Sequence, residues 1–215
     1  MFIDIDIVYI NNKELRMSIK KHISAWPLSL DQVPVWATLD QIFSKEECEK
    51  IIKLAIKNKP KDGLVGKNSK LTLDKKIRQS KIIWLQPEED TGWIFRRITD
   101  AIVNLNNNFF QFDINGMIEG LQFTIYKAPN SNYKKHTDRT YGNIVRKLSL
   151  SIELSPPESY EGGNLFLYES EKEFVLEKGQ GRINMFPSFV LHEVTTVTKG
   201  TRYSLVAWVT GKQFK

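Results

Sequence analysis

From Glu119 onward the chain is a succession of short β-rich runs, LQFTIYK, KLSLSIELS, NLFLYES, EFVLE, RINMF, FVLHEV and RYSLVAWV, cut by Gly, Pro, Asn and acidic turns. Runs of this length and composition, interrupted this often, point to stacked antiparallel strands. KLSLSIELS alternates cleanly, with Leu148, Leu150, Ile152 and Leu154 on one face and Ser149, Ser151 and Glu153 on the other, because successive strand side chains point to opposite sides. The pattern predicts a β-sandwich or barrel.

Helical signals lie upstream. Ser44 with Glu47 three residues on reads as a capping box, and Cys48, Ile51, Ile52, Ala55 and Ile56 follow at helical spacing, which places Cys48 in the core. Thr91 to about Phe109 reads as a second helix with Ile94, Ile98, Ala101, Ile102 and Leu105 on one face. Two helices ahead of about eight strands predict a jelly roll buttressed on one side by helices. Between Lys59 and Arg78, Pro60, Gly63, Gly66 and many lysines read as a long mobile loop before the strand-like KIIWL.

A chain of 215 residues suits a single domain, which we place at 33–215. Residues 1–32 read as an N-terminal extension, in which Ile3, Ile5 and Ile7 alternate with Asp4 and Asp6. Its N-terminus lacks the basic stretch of a signal peptide, and no segment reaches the roughly 18 apolar residues of a membrane helix. Cys48 is the only cysteine, which excludes an internal disulfide and fits a reducing, cytoplasmic setting without a membrane partner. A net charge of +6 would attract nucleic acid or an acidic protein. The lysines crowd between Lys45 and Lys76 without interleaved aromatics, as on a solvated surface.

The chain has three histidines, His22, His136 and His192. His136 precedes Asp138 by two residues in KKHTD, so in an extended segment both side chains project to one face. His192 lies in FPSFVLHEV, on a later β run that a jelly roll can bring alongside. Two imidazoles and a carboxylate on one triangular face bind Fe(II) and leave positions open for a bidentate co-substrate and dioxygen. A His-x-Asp pair alone is weak evidence; the second half of the pattern strengthens it. Arg202, ten residues after His192, could place a guanidinium deep in the barrel, where it needs an anion such as a dicarboxylate. The alternative is a salt bridge to Glu153 or another acid. Gly162 and Gly163 read as turn glycines, Pro187 and Ser188 as the bend that presents His192, and Trp36, Trp84, Trp93 and Trp208 as core.

HTD at 136–138, YEGGNLFLY at 160–168 and FPSFVLHEVTTVTKGTRYSLVAWV at 186–209 resemble the prolyl 4-hydroxylase-like branch of the 2-oxoglutarate and Fe(II) dependent oxygenases. FSKEECEKIIKLA resembles that family's first helix, and IRQSKIIWL the stretch leading into its core. The resemblance implies a double-stranded β-helix with His136, Asp138 and His192 as iron ligands and catalytic centre. It implies Arg202, with Tyr126 and Ser204, as the site of the distal carboxylate of 2-oxoglutarate; many members carry Lys where this chain has Arg202. Related halogenases have a small residue at the position of Asp138, so hydroxylation is expected.

The cofactors implied are Fe(II), 2-oxoglutarate and O2, with ascorbate as an optional addition. The implied substrate is a residue, prolyl in this branch, of a peptide or protein, which Arg78 and the 59–78 loop would meet. The competing expectations are a nucleic-acid demethylase of the same chemistry, which needs a base-flipping pocket, and a non-catalytic cupin-like metal-binding protein. Oligomeric state is not legible in the sequence.

Overall fold

The computed structural model describes residues 33–67, 70–139 and 144–212. The proposed extension, with His22, lies outside the described residues.

The chain opens with β1 (Ala37–Leu39), α1 (Lys45–Ala55), β2 (Lys61–Asp62), β3 (Val65–Lys67), β4 (Lys70–Thr72), β5 (Arg78–Gln79) and β6 (Lys81–Leu85). It continues through α2 (Gly92–Leu105), a π-helical turn at Asn106–Phe110, β7 (Ile114–Gly116), β8 (Leu121–Lys127), β9 (Asn132–His136) and β10 (Arg146–Glu153). After a 3-10 turn at Pro157–Ser159 come β11 (Tyr160–Gly162), β12 (Leu165–Glu169), β13 (Lys172–Val175), β14 (Ile183–Pro187), β15 (Leu191–Val194) and β16 (Val197–Gly211).

The strands form a large sheet in the order β1-β14-β10-β16-β8-β6-β2, with β11 and β7 added along β16, and a smaller one in the order β13-β12-β15-β9-β5. Their pairings are antiparallel and the chain crosses repeatedly between them, so the architecture is the expected double-stranded β-helix. There are more strands than the eight or so expected, because short segments also pair. The region expected to be one long loop holds β2 on β6, a β3–β4 hairpin and β5 on β9.

The Ser44 hydroxyl accepts from Glu47 N–H while the Glu47 carboxylate accepts from Ser44 N–H, closing the capping box that starts α1. Cys48, Ile51 and Ala55 of α1 and Ile94, Ile98, Ala101, Ile102 and Leu105 of α2 pack in one core with Leu121, Phe123, Leu148, Leu150, Ile152, Leu205, Ala207 and Val209 of the large sheet. The helices therefore cover the outer, apolar face of that sheet. The second helix ends as α-helix earlier than expected: after Leu105 the backbone widens into the π turn, and Gln111 at φ 53° ends it.

The alternate positions of the same strands turn the other way. Gln122, Ser151, Arg202, Ser204, Val206 and Trp208 line a cavity of about 1140 Å³ between the sheets. The polar stripe of β10 thus faces the interior of the barrel. Gly162 and Gly163, at φ +71° and +60°, make the turn into β12, as expected of turn glycines.

Candidate active site

His136 closes β9, and His192 on β15 is its Cα partner, so the two imidazoles project from one face of a β pair. Asp138 follows two residues after His136, and its backbone N–H donates to the Ser188 carbonyl at 3.0 Å. Ser188 itself is fully buried and its hydroxyl meets that of Ser149 at 3.0 Å, so the bend after β14 anchors the approach to both Asp138 and His192. The ligand atoms of His136, Asp138 and His192 all lie within 4.8 Å of one another. His136 Nε2 is 3.7 Å from Asp138 Oδ1, and His192 Nε2 is 3.4 Å from Asp138 Oδ2.

Each ring is fixed from behind. His136 Nδ1 meets the Lys134 carbonyl at 2.7 Å, and His192 Nδ1 meets the Val190 carbonyl at 2.9 Å. A carbonyl only accepts, so both Nδ1 atoms carry the proton, and in the neutral rings both Nε2 atoms keep an electron pair for an ion placed between them and Asp138. The Tyr133 ring stacks on His136 at 3.5 Å between centroids, and Phe186 meets His192 edge-on at 4.8 Å.

The electrostatics separate the three groups. Burial, reinforced by the neighbouring His192, lowers His136 to about 3 and keeps it neutral. Burial would also lower His192, but the charge and hydrogen bond of Asp138 outweigh it and raise that ring. Burial would raise Asp138; the charge and hydrogen bond of His192, then His136 and the indole of Trp208, outweigh it and hold the carboxyl well below its usual range. By distance the Trp208 indole N–H has no hydrogen-bond partner, so we read its effect on Asp138 as that of a nearby dipole. Two imidazole nitrogens and one carboxylate, pre-aimed at a common point, are the donor set that suits Fe(II).

Deeper in the cavity, Arg202 on β16 is 1% exposed and stands opposite Tyr126 of β8. Its guanidinium carbon lies 5.3 Å from the centre of the Tyr126 ring. Burial raises the Tyr126 phenol, which stays protonated. Ser204 is fully buried, with its hydroxyl 3.4 Å from Arg202 Nη1. Arg202 also forms a two-pronged ion pair with Glu153, through Nε at 2.9 Å to Oε2 and through Nη2 to Oε1. Of the two expected partners, a dicarboxylate and Glu153, it is Glu153 that stands against the guanidinium here, with Tyr126 and Ser204 beside it.

Arg78 belongs to the same cavity and is not an exposed loop residue. It is 6% exposed, donates from Nη2 to Gln122 Oε1 at 2.6 Å and from Nε to Ser80 Oγ at 2.8 Å, and lies 4.6 Å over the Tyr133 ring. At the mouth, Trp84 is 41% exposed and 6.1 Å from Trp208, which carries Arg146 3.8 Å above its ring. Trp84 was expected in the core; an outer strand of the large sheet leaves it on the rim instead. Tyr133, Gln122 and Arg146 were missed, although the period of two that places Tyr126 and Arg202 on the inner face also puts Gln122 there.

Residues 121–210 match the model of the 2OG-Fe(II) oxygenase superfamily. A PKHD-type hydroxylase of Crocosphaera subtropica is 29% identical over 181 residues, spanning 80% of this chain and 77% of that protein. The matched segment includes the full His136, Asp138, His192 cluster and Arg202. These matches support a 2-oxoglutarate and Fe(II) dependent oxygenase, prolyl 4-hydroxylase-like. A second PKHD-type hydroxylase, from Idiomarina loihiensis, is 41% identical over 78 residues, or 36% of each chain. Among solved structures, the oxygenase fold is shared with a prolyl-4-hydroxylase of Pseudomonas putida, at TM-score 0.65 and 19% identity over 83% of this chain and 94% of that one. It is shared too with a prolyl hydroxylase of Trichoplax adhaerens, solved with a hypoxia inducible factor peptide fragment, at TM-score 0.69 and 18% identity over 82% and 84%. The oxygenase's cofactors are accordingly Fe(II), 2-oxoglutarate and O2. No helix among the described residues is long and apolar enough to cross a membrane.

Proposed function

We propose that this oxygenase hydroxylates a residue, prolyl in our reading, of a peptide or protein, with His136, Asp138 and His192 holding the iron. The observation that carries the assignment is the convergence of three ligand atoms within 4.8 Å while both Nδ1 atoms are tied to backbone carbonyls. Bound there, Fe(II) with 2-oxoglutarate supplies the oxidation of a C–H bond by O2, with succinate and CO2 as co-products. The chain's own part is to orient and enclose. Arg202, with the protonated Tyr126 hydroxyl and Ser204, receives the distal carboxylate; Leu165, Phe186 and Val206 keep that part of the cavity apolar.

The peptide reading draws on the Trichoplax structure's peptide complex and on the rim, where the exposed Trp84 stands beside Trp208 and the Arg146–Glu119 ion pair stacked on it, an apolar edge with polar groups that an extended chain could lie along. Arg78, held inside the rim, would steady the substrate side of the cavity through Tyr133. We propose further that residues 33–215 act as one domain.

The test has two arms. Anaerobic protein with Fe(II), titrated with 2-oxoglutarate, should develop the weak visible charge-transfer band of the chelate in wild type, lose it in His136→Ala, and need more 2-oxoglutarate to develop it in Arg202→Ala. Incubation with proline-containing peptides, O2 and 2-oxoglutarate should add one oxygen atom to a prolyl residue by mass spectrometry. A wild-type band with no oxidised peptide removes the substrate assignment; no band even in wild type removes the site.

A further inference from the structure

Glu153 is 3% exposed, on the inner face of β10, and is the Cα partner of Ser204. Its carboxylate occupies the Nε and Nη2 edge of Arg202 in a bidentate, charge-assisted pair. Tyr160 adds its hydroxyl at 3.5 Å to the same oxygen. The nearby ammonium of Lys178 is committed elsewhere, donating to the Gly162 carbonyl at 2.8 Å and lying 4.1 Å over the Tyr160 ring. The ion pair at the end of the cavity is therefore already neutral and hydrogen-bonded before any co-substrate arrives.

Resting on the reading of Arg202 as the receiver of the distal carboxylate, we propose that Glu153 is a specificity-determining residue that competes with the co-substrate for this guanidinium. A dicarboxylate entering the cavity meets only the Nη1 end of Arg202, with Ser204 and Tyr126 beside it. It also brings its negative charge next to that of Glu153, at a depth where water screens poorly. The distal carboxylate thus adds little to affinity, and binding depends chiefly on the 2-oxo acid end. An arginine that Glu153 only positioned would do the reverse: the preformed cation would reward a distal carboxylate, and loss of Glu153 would weaken it.

These alternatives separate in the ratio of two dissociation constants. Calorimetry on Mn(II)-loaded full-length protein compares 2-oxoglutarate with 2-oxobutyrate, which has the same 2-oxo acid end and no distal carboxylate. In wild type 2-oxoglutarate should bind no more than about tenfold tighter, and in Glu153→Gln that advantage should grow by about tenfold or more while 2-oxobutyrate is unaffected. An unchanged or smaller advantage in Glu153→Gln overturns the competition. So does a wild-type advantage of about a hundredfold or more, a measurement that stands even where the variant fails to fold. If neither acid binds wild type, the co-substrate site itself is misassigned, and the inference falls with it.

Discussion

His136 and His192 face each other as Cα partners across β9 and β15, and each ring has its Nδ1 against the backbone carbonyl two residues before it, Lys134 and Val190 respectively. The same local device on both strands leaves two Nε2 atoms converging on Asp138. Because the rings are held by main chain, the cluster is set up by the fold without help from a metal. Alanine at any one of the three should reduce Mn(II) affinity by at least about a hundredfold, since loss of mere supporting groups around metal ligands already costs about 10- to 100-fold. Far-ultraviolet circular dichroism should stay native. Competition against a chelator measures the affinity, and an unchanged constant for Asp138→Ala would remove that residue from the ligand set.

Gly163 connects the turn to Arg202. A Cβ there would lie 2.8 Å from Val197 Cγ2 and 3.1 Å from Arg202 Cδ, at a φ of +60° that side chains rarely adopt. Gly163→Ala should therefore destabilise the protein by about 1–3 kcal/mol through backbone strain. It should also push Arg202 and disturb its pairing with Glu153. Gly92 is the contrast: at the start of α2 its Cβ would meet only Arg96 Nη1 at 3.5 Å, ordinary contact. Gly92→Ala should leave stability equal or slightly raised, as alanine favours helix. Thermal melts of the two variants check the pair.

Much of this was legible because strand and helix periods were intact. The capping box at Ser44, the apolar stripes of both helices and the His-x-Asp pair are local patterns, and each stands where it was read. What stayed hidden depends on the second sheet. The serines and Glu153 of β10 alternate with leucines whether their face meets water or a cavity, so only the packed fold turns them inward. The lysine-rich stretch before Arg78 pairs through strands of two and three residues, too short to carry a period. Glu153 was visible as an acid that Arg202 could reach, but sequence gave no sign that ion pair and pocket coincide.

Arg78 holds the wall beneath Tyr133. Its guanidinium satisfies Gln122 and Ser80 at 2.6 and 2.8 Å and lies under the Tyr133 ring that stacks on His136. Methionine keeps the bulk but leaves both polar partners facing apolar surface. Arg78→Met should cost about 2–4 kcal/mol, taking about 1–3 kcal/mol for groups left unpaired and about 1 kcal/mol for the lost cation–π contact. Lysine cannot make the fork and should fall between the two. Urea midpoints order the three proteins; a lysine variant as stable as wild type would show that the fork is dispensable.

Cys48 offers a test of the helical layer that is independent of the site. It is fully buried on α1, and burial, aided by the charges of Glu47, Glu46 and Glu49, pushes its thiol up to about 12 from an ordinary value of 9.0. In the folded protein it should thus stay unreactive toward thiol reagents at pH 8, where unfolded chain reacts at once. The same shift makes stability depend on alkali. Between pH 9.0 and about 12 the folded thiol keeps a proton that the unfolded thiol has released, so folding is linked to proton binding and stability falls as pH rises through that window. Below pH 9.0 the contribution is fully present and flat. Cys48→Ala should remove this part of the alkaline loss, at the cost of a small cavity among Ile51, Ile94 and their neighbours. Denaturation midpoints for wild type and variant at pH 8 and pH 10 decide it: a gap between the two proteins that does not narrow at the higher pH would mean that the thiol is not sealed in the core.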